Sequence, residues 1–424
     1  MEKKSKCKIT AKPAPYPADN NFLQRIMISL KNIIKLLPQF FLVLSLHAQE
    51  CDVPFKVHSL FKFDQPETLG LHFAKGLETI TIFAPQSNDN KYNHGVVLFP
   101  FKGMLYAQWQ SSLVDEDGED TQVFYSRSKN GKDWSKPSAL TKKWKHGIKT
   151  SGGWWSDGTT LVAYICNWPN NNGGAKEGYT EYITSTDGTH WKSPKPLTHS
   201  NGQPVLGIIE QDVHALKTGR LITAFHMQPG LIVTPFYTDD PLGVSGWTSG
   251  KMINMPANNK NISREIEPSW FYRKDSTIVM IFRDQDNSFK KLASISKDNG
   301  LSWTTPVIVD TPDSRAKQSA GNLPNGTAFM VNNPSGNKSR FPLAITLSKD
   351  GFTFDHAYLL RSGNEDLQPM RCKGKYKRIG YSYPKSVIWG DYLYVSYATN
   401  KEDAELTRIP IDSLLWQQDQ LLNE

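Results

Sequence analysis

Along most of the chain, apolar and polar residues alternate over short runs that end at clusters of Gly, Pro, Asn, Asp or Ser. The stretch from residue 94 shows the pattern well. Four strand-like runs follow one another at His94–Phe99, Met104–Gln110, Gln122–Ser128 and Trp134–Leu140, with turn residues between them. Long runs with a 3.6-residue apolar period are absent. The runs come in repeats. Ser296-Lys-Asp298-Asn-Gly300-Leu-Ser-Trp303 has three relatives, each one residue shorter. They are Ser128-Lys-Asn130-Gly131-Lys-Asp-Trp134, Ser185-Thr-Asp187-Gly188-Thr-His-Trp191 and Ser348-Lys-Asp350-Gly351-Phe-Thr-Phe354. Asp or Asn closes a turn onto backbone N–H groups, Gly takes a positive φ, and the aromatic pins the hairpin to its sheet. The copies start at 128, 185, 296 and 348, so the interval of 111 between the second and third spans two periods. A degenerate copy is expected at Tyr237-Thr-Asp239-Asp240 ahead of Gly246-Trp247, and a sixth at Thr399-Asn-Lys401-Glu402-Asp403.

Four strands per unit, repeated radially, bury the sheet edges by forming a β-propeller. The fold class is therefore all-β, with six blades countable. Residues 51–93 supply either a closing strand or part of a seventh blade. Solenoids have shorter repeats, and sandwiches do not repeat this turn. The 424 residues include 30 Gly, 26 Pro, 12 Trp and 16 Tyr, which suits many turns and aromatic-rich strands.

The formal charge of +8 suggests a basic protein until its location is traced. Residues 1–49 hold eight Lys/Arg against Glu2 and Asp19, leaving 41 basic against 39 acidic residues in the remainder. That balance gives no electrostatic footprint for nucleic acid. From Met27, Lys31 and Lys35 precede an apolar segment from Phe40 to Leu46 and the short polar exit His47-Ala48-Gln49. This is signal-peptide anatomy, too short for a stable membrane span. The expectation is residues 1–49 as a leader with its functional start at Met27 and cleavage near Gln49. Residues 50–424 then form a single secreted or periplasmic propeller domain. Cys51, Cys166 and Cys372 cannot all pair, and their spacing does not say which two would. No metal, calcium or nucleotide motif stands out, so no metal or cofactor is expected.

The Ser-x-Asp-(x)-Gly-x-x-Trp copies at blade-sized spacing resemble the Asp boxes of sialidase-like (BNR-repeat) β-propeller carbohydrate-active enzymes of Bacteroidetes. The resemblance covers about residues 94–412. Asp313-Ser-Arg-Ala-Lys-Gln-Ser-Ala-Gly321 and Tyr381-Ser-Tyr-Pro-Lys-Ser make it closest to the propeller rhamnosidases and the ulvan or uronate lyases. True sialidases open their first blade with an arginine. Here that place reads His94-Gly-Val-Val, and no Arg lies between residues 26 and 126. His94 matches the rhamnosidase histidine by position and context, while the Tyr–Arg pair of the lyases is not found.

Propellers gather function around the axis, near the starts or ends of the innermost strands. His94 lies 34 residues before its box; the same offset in the other units falls at 151 and at about 204, 262, 314 and 365, and with several residues of slack polar clusters stand nearby. These are Ser151 to Trp155, Glu210 to His214, Arg264-Glu265-Ile-Glu267, Asp313 to Gln318, and Tyr381-Ser-Tyr383-Pro-Lys385. His94, Glu267 and Tyr383 are the candidate catalytic residues. A neutral imidazole can serve as base or acid near neutrality. Arg264, Arg283, Arg315 and Lys385 are candidates for an acid group, which guanidinium matches in a bidentate way. Trp155, His214 and His226 complete the candidate binding set. Glu265 and Glu267 serve equally well as inter-blade ion pairs. The expected partner is an anionic oligosaccharide or polysaccharide. The expected activity is exo-hydrolysis of a terminal, rhamnose-type sugar next to a uronate or sulfated residue, with uronate lyase action or non-catalytic glycan binding as alternatives.

Overall fold

The computed structural model describes residues 53–169 and 177–415; the expected leader and Cys51 lie outside them. Six antiparallel sheets of at least four strands succeed one another along the chain, one per repeat. Blade 1 runs Tyr92–Phe101, Met104–Ser112, Gln122–Ser128 and Ser138–Ala139 from inside to outside. The fourth strand is shorter than expected, because the Ser128–Trp134 bridge of the box turn uses up its beginning. The inner strands of blades 2 to 6 begin at Gly147, Gly207, Glu265, Ser319 and Tyr381. The seventh-blade alternative falls away. Glu78–Phe83 pairs antiparallel with Asp403–Pro410 and becomes the outermost strand of blade 6. The ring is thus closed by the two ends of the described chain.

The box turns behave as their chemistry requires. In each, a Ser hydroxyl accepts the glycine N–H at 2.8–3.0 Å. The Asp or Asn side chain accepts the next turn N–H groups, as when Asp350 Oδ1 takes those of Phe352 (2.7 Å) and Thr353 (3.2 Å). The degenerate copy in blade 3 reaches the same end by other contacts. Asp240 caps the N–H groups of Leu242, Val244 and Ser245, and Trp247 is fully buried. The expected sixth copy is not a box. Thr399 to Asp403 joins the second and third strands of blade 6, at the opposite end of the blade from the box turns. Blade 6 takes its fourth strand from the other end of the chain, so no third-to-fourth hairpin exists to carry a box.

The apolar core is divided among the seams. Six buried clusters each join two neighbouring blades; Leu98, Leu105 and Trp109 of blade 1, for example, pack with Tyr394 and Leu406 of blade 6. Trp109 is fully buried, and at about 25 cal/mol per Å2 such an indole contributes several kcal/mol to its seam. Around the axis the contacts are polar instead: Ser319 meets Ser386 at 2.7 Å, and Ser269 Oγ accepts the N–H of Ala320 at 2.8 Å. The box turns occupy one end of the propeller. The starts of the inner strands occupy the other, and the polar clusters sit there.

Candidate active site

In blades 1, 2, 4 and 6 the inner strand slips register near its start, between His94/Val97, Ser151/Trp154, Ile266/Ser269 and Ser382/Lys385. Each slip holds one residue at positive φ: Gly95 (65°), Gly153 (87°), Glu267 (57°) and Tyr383 (58°). These are bulges that re-aim side chains at the axis. The glycines permit a close approach, since a Cβ on Gly95 would lie 2.8 Å from Gln211 Nε2. Glutamate and tyrosine have no such licence. Arg315, on the loop entering the inner strand of blade 5, is likewise at 56°. For bulky residues this backbone costs about 1–2 kcal/mol each and persists where the surroundings enforce it, commonly at functional sites.

The strained residues meet one another. The Tyr383 hydroxyl donates a short hydrogen bond to Glu267 Oε1. Arg283 Nη1 lies 3.2 Å from Glu267 Oε2 and 3.1 Å from the Tyr383 oxygen. The His94 ring stands 4.3 Å from the Tyr383 ring, centroid to centroid. His94 is only 1% exposed, and neither ring nitrogen has a hydrogen-bond partner. Arg340 donates to Ser382 Oγ at 2.8 Å and holds its guanidinium 5.4 Å from the Tyr383 ring centroid. Beneath them, Lys317 Nζ pairs with Glu210 Oε2 (2.6 Å) and Gln211 Oε1 (3.1 Å), and Lys385 Nζ pairs with Asp212 Oδ2 (3.1 Å). Lys401 closes onto Glu116 from the blade 1 loop.

These surroundings set the protonation states. Burial pushes the Glu267 carboxyl up, but Arg283, Lys317 and the Tyr383 hydrogen bond outweigh it and hold it at about 2. Burial and the Glu267 charge raise Tyr383 far above an ordinary phenol, so its proton stays. Burial, aided by Lys401, Arg340 and Lys317, drops His94 well below 6.5 and keeps the imidazole neutral. Burial opposes the charge on Arg283, yet Glu267 and Tyr383 more than restore it. The group therefore offers an ionised carboxylate bonded to a neutral phenol, next to an uncharged imidazole. Cations outnumber carboxylates around it.

The other candidates divide. Arg315 reaches only Gln285, at 3.3 Å, and its Nε has no partner. His226 stands behind the site, with Nε2 3.3 Å from Glu210 and 3.5 Å from the Glu267 backbone N–H, which donates to it. Arg264 is held by Asp284 through two bonds of 2.9 Å, turned to a carboxylate of its own blade. Trp155 lies at the box end of its strand, donating to Pro241 O at 2.8 Å, and cannot face a sugar at the axis. His214 pairs opposite Ile222 near that same end. Both are displaced for one reason: the bulge or break in their inner strand puts the axial position a few residues earlier, at Ser151–Gly153 and Glu210–Asp212. Arg340, Glu116 and Lys401 were not singled out from the sequence as site residues, because they sit on loops whose lengths differ from blade to blade. The acidic run Asp115 to Asp120 is the signal that would have found Glu116.

Among the described residues no group of three or more His, Cys, Asp or Glu could hold a metal ion. Among the described residues Cys166 and Cys372 form no disulfide with each other, and burial pushes Cys166 up to about 12. No described helix is long and apolar enough to cross a membrane.

Fold and axial cluster together define a six-bladed, sialidase-like propeller. The chain belongs to the BNR repeat-like domain family, whose pattern matches residues 103–395. No curated protein matches the sequence. Among solved structures it is similar to a sialidase, at 20% identity and a TM-score of 0.58. That match covers 84% of this chain but 35% of the sialidase, so the chain spans about a third of that relative's length. A protein of unknown function from Dyadobacter fermentans gives 15% identity and a TM-score of 0.61, covering 79% of this chain and 99% of that one. The intramolecular trans-sialidase from Ruminococcus gnavus, solved with oseltamivir carboxylate, gives 13% and 0.59, covering 80% and 98%. At these identities the likeness establishes the fold.

Proposed function

We propose that the chain is a glycosidase that takes the acidic end of a glycan at the propeller axis and releases a terminal sugar. The observation that carries this reading is the Glu267–Tyr383 couple, bent into left-handed backbone by two bulges and set against a buried, unpartnered His94. Orphaned buried nitrogens are rare and call for an explanation; an incoming hydroxyl or water is one. Hydrolysis needs a group to take a proton from water and another to manage charge at the anomeric carbon. Neutral His94 suits the first role, with the proton returned to the departing sugar oxygen. The Tyr383–Glu267 pair, a neutral phenol bonded to an ionised carboxylate, suits the second. Arg283, Arg315 and Arg340 supply the cationic wall for a carboxylate or sulfate.

Within this reading the substrate is a terminal, rhamnose-type sugar next to a uronate or sulfated residue. The match of His94 to the rhamnosidase histidine supports that choice. Residues 27–49 are read as the export signal of a secreted enzyme. Incubation with rhamnosyl-glucuronate oligosaccharides tests the proposal: a free saturated sugar should appear, and His94→Ala should lose at least about 100-fold in kcat/KM while staying folded. Release of an unsaturated uronate would instead make it a lyase. Retention of unchanged oligosaccharide would make it a binding propeller.

A further inference from the structure

A second recess opens on the same end of the propeller, over the seam between blades 4 and 5. The chain ahead of the Glu78–Phe83 strand builds its outer wall. Lys56–Val57 pairs in parallel with Thr353–Phe354 at the box end, and the following residues continue toward the other end, where Phe63 lies against the Gly336 loop. The inner wall is the Ser288–Lys290 turn of blade 4. The recess has a volume of about 410 Å3, inside the usual range for small-molecule sites.

Its lining is unusual for a gap between strands. Phe61, Phe63 and Phe289 offer three rings, and Phe63 is 55% exposed. Phe289 holds a φ of 55°, a genuine outlier for an aromatic residue and a sign of function when it sits in a recess. Hydroxyl and charged groups surround the rings: Ser288, and the Lys290–Asp310 pair at 2.6 Å. That ion pair is internally balanced, so the recess carries none of the positive excess of the axis. Rings for C–H faces, hydroxyls for hydroxyls and little net charge describe a site for an uncharged sugar.

One loop joins the recess to the axial site. Pro312 lines it, and three residues further along the same loop stands Arg315. The Asp313 N–H donates to Phe289 O at 2.8 Å, tying the strained phenylalanine to the loop that presents the strained arginine. We propose that this recess is a second saccharide subsite, which binds neutral sugar residues of the glycan whose acidic end lies at Arg315. The inference rests on the glycan reading of the axial site and adds where the uncleaved remainder goes.

The test compares two thio-linked probes by titration calorimetry: a rhamnosyl-glucuronate disaccharide, and the same end extended by two neutral hexoses. The wild-type chain should bind the longer probe about tenfold more tightly. Phe63→Ala and Phe289→Gly should each remove that gain and leave the disaccharide affinity unchanged. Phe63 is exposed, and glycine relieves the backbone at 289, so both variants should fold. No gain with length in the wild type, or equal weakening of both probes, overturns the subsite. Cleavage of the oxygen-linked disaccharide is read separately and decides the axial reading alone.

Discussion

Glu267, Arg315 and Tyr383 each occupy backbone that favours glycine, and the least committed of them is the one to substitute. Arg315 makes one long hydrogen bond, so Arg315→Gly should raise unfolding stability by up to about 1 kcal/mol while raising KM severalfold, read by denaturant melts and kinetics. Glu267 titrates far from a surface carboxylate. Its folded pKa of about 2 lies below the ordinary 4.5, so the stability it contributes is whole above pH 4.5 and is lost as pH falls toward 2. Glu267→Gln should flatten that acid limb in a series of melts, and activity should fall with it. His94 is also depressed, so the acid limb of kcat/KM should lie well below pH 6.5. A limb at or above 6.5 would remove His94 as the base. The phase of the repeat led to the clusters that hold His94 and Glu267, while Tyr383 lies well beyond the counted position and was reached through its motif; the structure brings the three side chains together. Trp155 and His214 were misplaced because a bulge shifts the facing of every later residue in its strand, and no sequence signal marks a bulge filled by glutamate or tyrosine.

The blade is the unit that the sequence declares most openly. Ser, Asp and Gly at fixed offsets are demanded by local hydrogen bonding, so every intact copy folded as expected and even the altered turn at Asp240 kept its carboxylate cap. The failed copy at 399–403 shows the limit: a short polar stretch can imitate the composition of a box without its place in the strand order. Because the boxes lie at the opposite end of the propeller from the axial site, stability and turnover should separate there. Asp350→Ala leaves the Phe352 and Thr353 N–H groups without their acceptor and should cost about 1–3 kcal/mol in urea melts, with kcat unchanged. A matching fall in kcat would mean that the two ends are coupled. Between blades, loop lengths vary freely, which is why Arg340, Glu116 and Lys401 could not be reached by counting.

Over the whole molecule, six seam clusters replace a single core, and the seam between blades 6 and 1 depends on a strand borrowed from the start of the propeller. Residues 78–83 give blade 6 its outer strand, with Thr79 facing Thr407 across 328 positions of chain. A chain beginning after Phe83 should therefore expose the Asp403–Pro410 edge and aggregate or melt less cooperatively, which light scattering and calorimetry would show. The six-fold plan was readable from the spacing of the boxes; the closing strand was expected only as one of two alternatives for residues 51–93, because pairing between distant segments leaves no local trace. That long-range clasp also bears on how the protein comes into being. The Glu78–Phe83 strand must stay unpaired while five blades are made, and it finds its neighbour only when the final hairpin arrives. Any interrupted synthesis yields an open fan with a sticky margin at each side, so completeness of the polypeptide is itself the condition for a soluble product.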